Sequence, residues 1–124
     1  MVTTNKDLVW DLTQVGFLGA FGEHPEEALL VFEGLNAVYT DNLGVKNGLG
    51  MCFLFSGMFQ EAIDVFRKDV LISDPNNNEA RCFLGMALWE TGEKEEAKSL
   101  VEEALKNGND ELKIISQSCL DSMV

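Results

Sequence analysis

The sequence predicts an all-α protein built from helix–turn–helix repeats. Three pairs of small residues recur at a single spacing of 35 residues: Gly50 and Gly85, Gly57 and Gly92, Ala62 and Ala97. The stretch LGMCFLFSGMFQEA is therefore repeated in outline by FLGMALWETGEKEEA. A period near 34 residues is typical of two packed helices with their connecting turns.

Six paired helices and a seventh C-terminal helix follow from this period. We predict the first helices of three units at about 5–20, 43–56 and 78–91, and their partners at about 25–38, 59–73 and 94–107. The first unit is the weakest of the three. Gly22 lies one period before Gly57, but the Glu-Glu-Ala stretch ending at Ala28 arrives one residue late, with Phe32 in the aromatic position.

Small residues have steric roles within each unit. Gly50 and Gly85 lie on first helices, where the missing side chain lets the second helix approach closely. Ala62 and Ala97 on the second helices supply the complementary small surface. The pattern predicts tight packing of each helix pair.

Local signals define the helix ends. Gly57 and Gly92 are placed to end first helices in the left-handed conformation. The stretch SDPNN at 73–77 stops a second helix, because proline disfavours helical backbone in the residue before it. Gly108 is predicted as the last C-cap of the repeats, and Asn109 as the N-cap of the following helix.

The C-terminal stretch DELKIISQSCLDSM predicts a capping helix at about 110–123. Its apolar residues fall on one helical face; they are Leu112, Ile115, Cys119 and Leu120. Such a helix should cover the exposed end of the repeat stack.

The composition excludes several functional classes. At 124 residues the chain is expected to form one domain, 1–124. Its formal net charge of −12 disfavours binding to nucleic acid or to an anionic membrane. No apolar run is long enough for membrane insertion, and the N-terminus has no secretory-signal pattern. Cys52, Cys82 and Cys119 form no CxxC pair and are interpreted as reduced thiols of a cytosolic protein.

No catalytic constellation is present in the sequence. His24 is the single histidine, so a catalytic triad or a zinc site of the usual kind is not expected. Glycine-rich nucleotide-binding motifs are absent, and paired glutamates at 26–27 and 95–96 suit the first turns of helices. We therefore expect a non-enzymatic protein with no cofactor and no metal.

These motifs resemble the tetratricopeptide repeat (TPR) family. The chain shows the family's Leu-Gly pair, turn glycine and alanine, an aromatic residue at Phe66, and the closing Asp-Pro-Asn-Asn stretch that begins at Asp74. Lys46 and Arg81 replace the family's early tryptophan, Asp69 stands where a small residue is usual, and RKDVLISDP is one residue longer than the family spacing. The resemblance implies a right-handed superhelix of three degenerate repeats, at about 5–39, 43–75 and 78–108, followed by the capping helix.

In TPR proteins the first helices line a concave groove that holds partner segments. Transferring the family's positions gives a largely apolar lining: Leu12, Gly16 and Gly19, then Asn47, Met51 and Leu54, then Cys82, Met86 and Trp89. Only Asn47 matches the Lys, Arg and Asn clamp that holds acidic peptide C-termini. The lining instead suits an amphipathic helix, although residues at this spacing can equally belong to the core.

Within the family, the chain is similar to the needle-subunit chaperones of bacterial type III secretion (the YscG/PscG group). The similarity lies in the small size, the three degenerate repeats, the C-terminal helix and the apolar groove. It implies a cytoplasmic, virulence-associated chaperone that shields an amphipathic helix of a self-assembling needle subunit. A small helical co-chaperone could pack on the N-terminal repeat at 8–21.

Three alternatives stay open at this point. One is a type III translocator chaperone, which also has three TPRs. A second is a general TPR scaffold for protein–protein interaction. In a third, the chain forms a homodimer that buries the apolar surface in its own interface.

Overall fold

The computed structural model describes residues 24–123, which form helices and no strands. The predicted helix at 5–20 lies outside this range. The described helices are α1 Pro25–Val38, α2 Leu43–Phe55, α3 Phe59–Asp64, α4 Asn78–Glu90, α5 Lys94–Asn107 and α6 Asp110–Ser122, and a π-helical segment, π1 Val65–Leu71, continues α3 directly. When α3 and π1 are counted as one helix that ends at Leu71, each described helix begins and ends within two residues of its predicted bounds.

Glycine closes α2 and α4 in the same way. Gly57 and Gly92 have φ of 78° and 96°, the left-handed conformation predicted for them. The next amide in each turn bonds back into the helix, from Met58 N to Phe53 O at 2.8 Å and from Glu93 N to Leu88 O at 2.9 Å. This is the Schellman arrangement, which satisfies the last carbonyls of a helix.

Asparagine caps the first turns of three helices. The side-chain oxygens of Asn42, Asn77 and Asn109 accept hydrogen bonds from the amides of Val45, Ala80 and Leu112 at 3.0, 3.0 and 2.9 Å. Asn109 is thus the N-cap that the sequence predicts, directly after the C-cap Gly108. Each cap satisfies an amide that has no partner within its own helix.

The π-helical segment overlaps the stretch RKDVLISDP, which is one residue longer than the family spacing. The chain leaves α-helical geometry at Val65 and ends the wider turns at Leu71. A π-helical turn accommodates an extra residue in a helix without breaking it. Val65, Phe66 and Val70 accordingly remain buried despite the insertion.

The close approach of paired helices depends on glycine. A Cβ atom on Gly85 would lie 2.6 Å from Val101 Cγ2 and 2.9 Å from the Ala97 carbonyl oxygen, so α5 does pack over this position. On Gly50 a Cβ would instead meet the Phe66 ring at 2.6 Å, so the neighbour here is an aromatic ring rather than the expected alanine.

The helices bury several hydrophobic clusters along the stack. One cluster lies between α1 and α2 around Phe32, and a larger one joins α2, α3, π1, α4 and α5 around Phe66 and Phe83, whose rings stack with centroids 6.5 Å apart. α6 packs against α5 and α4 at the C-terminal end. None of the helices within residues 24–123 has both the length and the apolar character needed to cross a membrane.

Candidate partner-binding surface

The predicted groove residues fall into three groups in the structure. Leu12, Gly16 and Gly19 lie outside residues 24–123. Asn47, Met51, Leu54 and Cys82 are buried. Met86 and Trp89, on α4, are the two whose side chains remain partly exposed.

Met51 and Leu54 belong to the core rather than to an open groove. Their exposed fractions are 1% and 6%, and both lie in the cluster that also contains Ala80 and Phe83 of α4. This burial contradicts the expectation that Met51 and Leu54 line a partner-binding surface. The first helices of neighbouring units pack side by side, so their facing side chains bury each other.

Cys82 is also buried, in this case because the capping helix α6 covers it. It is fully buried in a cluster with Ala104 and Leu112, and the Ser116 hydroxyl donates a hydrogen bond to its sulfur at 3.5 Å. α6 occupies the place that the first helix of a further repeat would take. The prediction of Cys82 as a lining residue therefore fails because α6 covers it.

Asn47 links α2 to the turn before α4. It is 1% exposed, and its amide nitrogen donates to Asn77 Oδ1 at 3.0 Å. Asn77 in turn donates to Asp74 Oδ2 at 3.2 Å. Desolvation raises the pKa of the nearby Glu79 carboxyl, and a hydrogen bond with Asn47 partly offsets the effect. Asn47 therefore has a structural role between two repeats.

An open pocket of about 330 Å³ lies between the C-terminal halves of α4 and α6. We call it the α4–α6 pocket, and it is lined by Met86, Trp89, Glu90, Ser118, Cys119, Ser122 and Met123. Two of these residues, Met86 and Trp89, are among the groove residues predicted from the sequence. The others come mainly from α6, which the sequence indicates only as a cap. If the sequence of α6 had been interpreted as the first helix of a further repeat, α6 would have been placed beside α4, on the same face of the stack.

Cationic side chains surround the indole of Trp89. Lys94 Nζ lies 4.7 Å and Lys98 Nζ 5.6 Å from the ring centroid. Both are within the range of a cation–π interaction. In a chain of net charge −12 these two lysines place positive charge beside the Trp89 ring, while Glu90 contributes a carboxylate to the pocket lining.

Comparison with known proteins supports this architecture. A family model described as Tetratricopeptide repeat matches residues 56–114, which cover α3, π1, α4, α5, the adjoining turns and the start of α6. The chain has the tetratricopeptide-repeat fold. No curated protein matches the chain significantly.

Solved structures extend the likeness to nearly the whole chain. SycD, the type III secretion translocator chaperone of Yersinia enterocolitica, is 23% identical with a TM-score of 0.73, and the match covers 94% of this chain and 92% of that one. SycD in complex with a peptide of the translocator YopD matches over the same shares at 23% identity and a TM-score of 0.70. A type III secretion complex from Aeromonas hydrophila is 22% identical with a TM-score of 0.73, covering 96% of this chain and 80% of that one. At these identities the comparison establishes the fold.

Proposed function

We propose that the chain is a non-enzymatic chaperone of type III secretion, of the class that binds translocators, and that it works in the bacterial cytoplasm. The observation that carries this proposal is the likeness to SycD over 94% of the chain, including SycD bound to a peptide of YopD. The sequence resemblance alone favours a needle subunit as the partner. The solved structures support the translocator alternative better.

The α4–α6 pocket is the part of the described surface best suited to hold a partner. Concave faces of helical repeats are extended binding surfaces. The side chains of Met86 and Trp89 offer an adaptable apolar contact and a large aromatic one. We expect an apolar side chain of the partner's segment to enter between α4 and α6, with Lys94 and Lys98 near its polar flank.

Co-expression tests the choice of partner. The translocator subunits and the needle subunit of the source bacterium's type III secretion system would each be co-expressed with the tagged chain and co-purified. A translocator that co-purifies at a fixed ratio supports the proposal. Selective co-purification of the needle subunit would contradict it in favour of the needle-subunit function, and capture of neither would favour a general TPR scaffold.

A substitution in the pocket tests the site. Trp89→Ala should weaken binding of the co-purifying partner by about tenfold or more, because buried aromatic anchors dominate such interfaces. Titration calorimetry of the purified proteins measures the effect. Ile114→Ala is the matched control, since Ile114 is a large apolar residue of α6 that is 72% exposed and outside the pocket.

The result is informative only if Trp89→Ala leaves the fold intact, which circular dichroism can check. Equal affinities of the two variants would exclude the α4–α6 pocket as the binding site. Met51→Asp is unsuitable for this purpose, because a charge at a 1% exposed position would test folding rather than binding. Light scattering of the free chain tests whether a homodimer forms instead.

A further inference from the structure

Two thiols meet where α4 and α6 pack together. Cys82 on α4 is fully buried, whereas Cys119 on α6 is half-buried and lines the α4–α6 pocket. Cys119 packs against the cluster that contains Cys82, and each of the two thiols shifts the pKa of the other. The two helices approach within 8 Å, measured between Cα atoms. The pair is therefore held together by the packing of the capping helix.

The two cysteines differ in reactivity. Hydrogen bonding with Cys119, and after it burial, raises the pKa of the Cys82 thiol far above its ordinary value. The same hydrogen bond lowers the pKa of Cys119, which outweighs the opposing effect of its partial burial. Because the thiolate is the reactive form of cysteine, Cys119 is the thiol that an oxidant reaching the pocket would attack.

We propose that Cys82 and Cys119 form an oxidation-sensitive pair, in which a peroxide oxidises Cys119 and Cys82 then closes a disulfide that joins α4 to α6. This inference is independent of the partner proposed above. It adds a modification site at the floor of the α4–α6 pocket.

The chemistry balances in two steps. The Cys119 thiolate attacks hydrogen peroxide, forms a sulfenic acid and releases hydroxide. The sulfur of Cys82 then attacks the sulfenic sulfur, the S–S bond forms, and the sulfenic hydroxyl leaves as water with the Cys82 proton. In total two thiols are oxidised, one peroxide is reduced, and two waters are produced after the hydroxide is protonated. Cys82 is thus the resolving thiol.

Cys52 supplies an internal comparison. It is buried on α2, in the separate cluster around Phe32, and burial raises the pKa of its thiol to about 12. It should stay reduced under conditions in which the α4–α6 pair is oxidised.

Peptide mass spectrometry without reductant tests the proposal. The full-length chain is treated with hydrogen peroxide, and the unreacted thiols are blocked before digestion. The expected product is a Cys82–Cys119 linked peptide that has lost two hydrogens, with Cys52 blocked as a free thiol. The oxidised chain should have a higher Tm, and a reductant should reverse the rise, because a cross-link restricts the unfolded chain.

Two variants separate the roles of the thiols. In Cys82→Ala, Cys119 should persist as a sulfenic acid that dimedone traps. In Cys119→Ser, Cys82 should resist peroxide in the folded protein. Circular dichroism should be used to check that both variants are folded. A disulfide through Cys52, a dimer linked through Cys119, or over-oxidised Cys119 beside a free Cys82 in the unmutated chain would each overturn the proposal.

Discussion

At Gly85, single-atom geometry decides how closely two helices pack. A Cβ at this position would lie 2.9 Å from the Ala97 carbonyl oxygen, which is part of the α5 backbone and cannot rotate away. We predict that Gly85→Ala destabilises the protein by about 1–3 kcal/mol through overpacking, although alanine is intrinsically the better helix former. Urea unfolding followed by circular dichroism measures the change.

Gly34 provides the matched control at the residue scale. It also lies within a helix, α1, but a Cβ there would find nothing within 4 Å. Gly34→Ala should therefore stabilise the protein by up to about 1 kcal/mol. If both variants gain stability, the close approach of α4 and α5 does not require a glycine at position 85.

At the scale of helices, the caps differ in how much structure they join. Asn109 caps α6 through a single hydrogen bond, to the Leu112 amide. Asn77 caps α4, accepts a second bond from buried Asn47 and donates a third to Asp74. Replacing Asn109 by Ala should cost about 1 kcal/mol. Replacing Asn77 should cost about 2–3 kcal/mol, because it also leaves the buried Asn47 amide without a partner.

Thermal unfolding of the two cap variants side by side measures this difference. The single variant Asn47→Ala and the double variant Asn47→Ala with Asn77→Ala complete a double-mutant cycle for this pair of side chains. The double variant should lose about 1 kcal/mol less stability than the sum of the two single losses, because the hydrogen bond between the two side chains is lost only once. Equal losses for Asn77→Ala and Asn109→Ala would mean that the link from α2 to α4 contributes nothing to stability.

The helices themselves could be predicted because their signals are local. Gly57, Gly92 and Asn109 determine helix ends through their own backbone and side-chain chemistry, and the 35-residue period aligns equivalent ends. The coverage of Cys82 by α6 and of Met51 by α4 could not be predicted in the same way. A repeat period assigns a residue to a first helix, but burial depends on which neighbouring helix lies against it.

The whole molecule carries a large excess of negative charge. There are 21 acidic and 9 basic side chains, which give the net charge of −12. Within residues 24–123 the ion pairs Lys68–Asp64 and Arg81–Glu103 join groups 3.6 and 3.5 Å apart, and Arg67 pairs with Glu96. All involve at least one well-exposed side chain, so each contributes little to stability. Repulsion among the remaining carboxylates should therefore dominate the electrostatic part of folding.

This balance predicts that salt stabilises the protein. Raising sodium chloride from about 10 to about 150 mM shortens the screening length from about 30 to about 8 Å and weakens long-range repulsion in the folded state. The Tm measured by scanning calorimetry should rise over this range. Glu102→Lys changes the net charge from −12 to −10 by replacing one negative with one positive charge at an exposed site of α5, and should reduce the rise. A Tm that falls with salt would mean that the specific ion pairs outweigh the net repulsion.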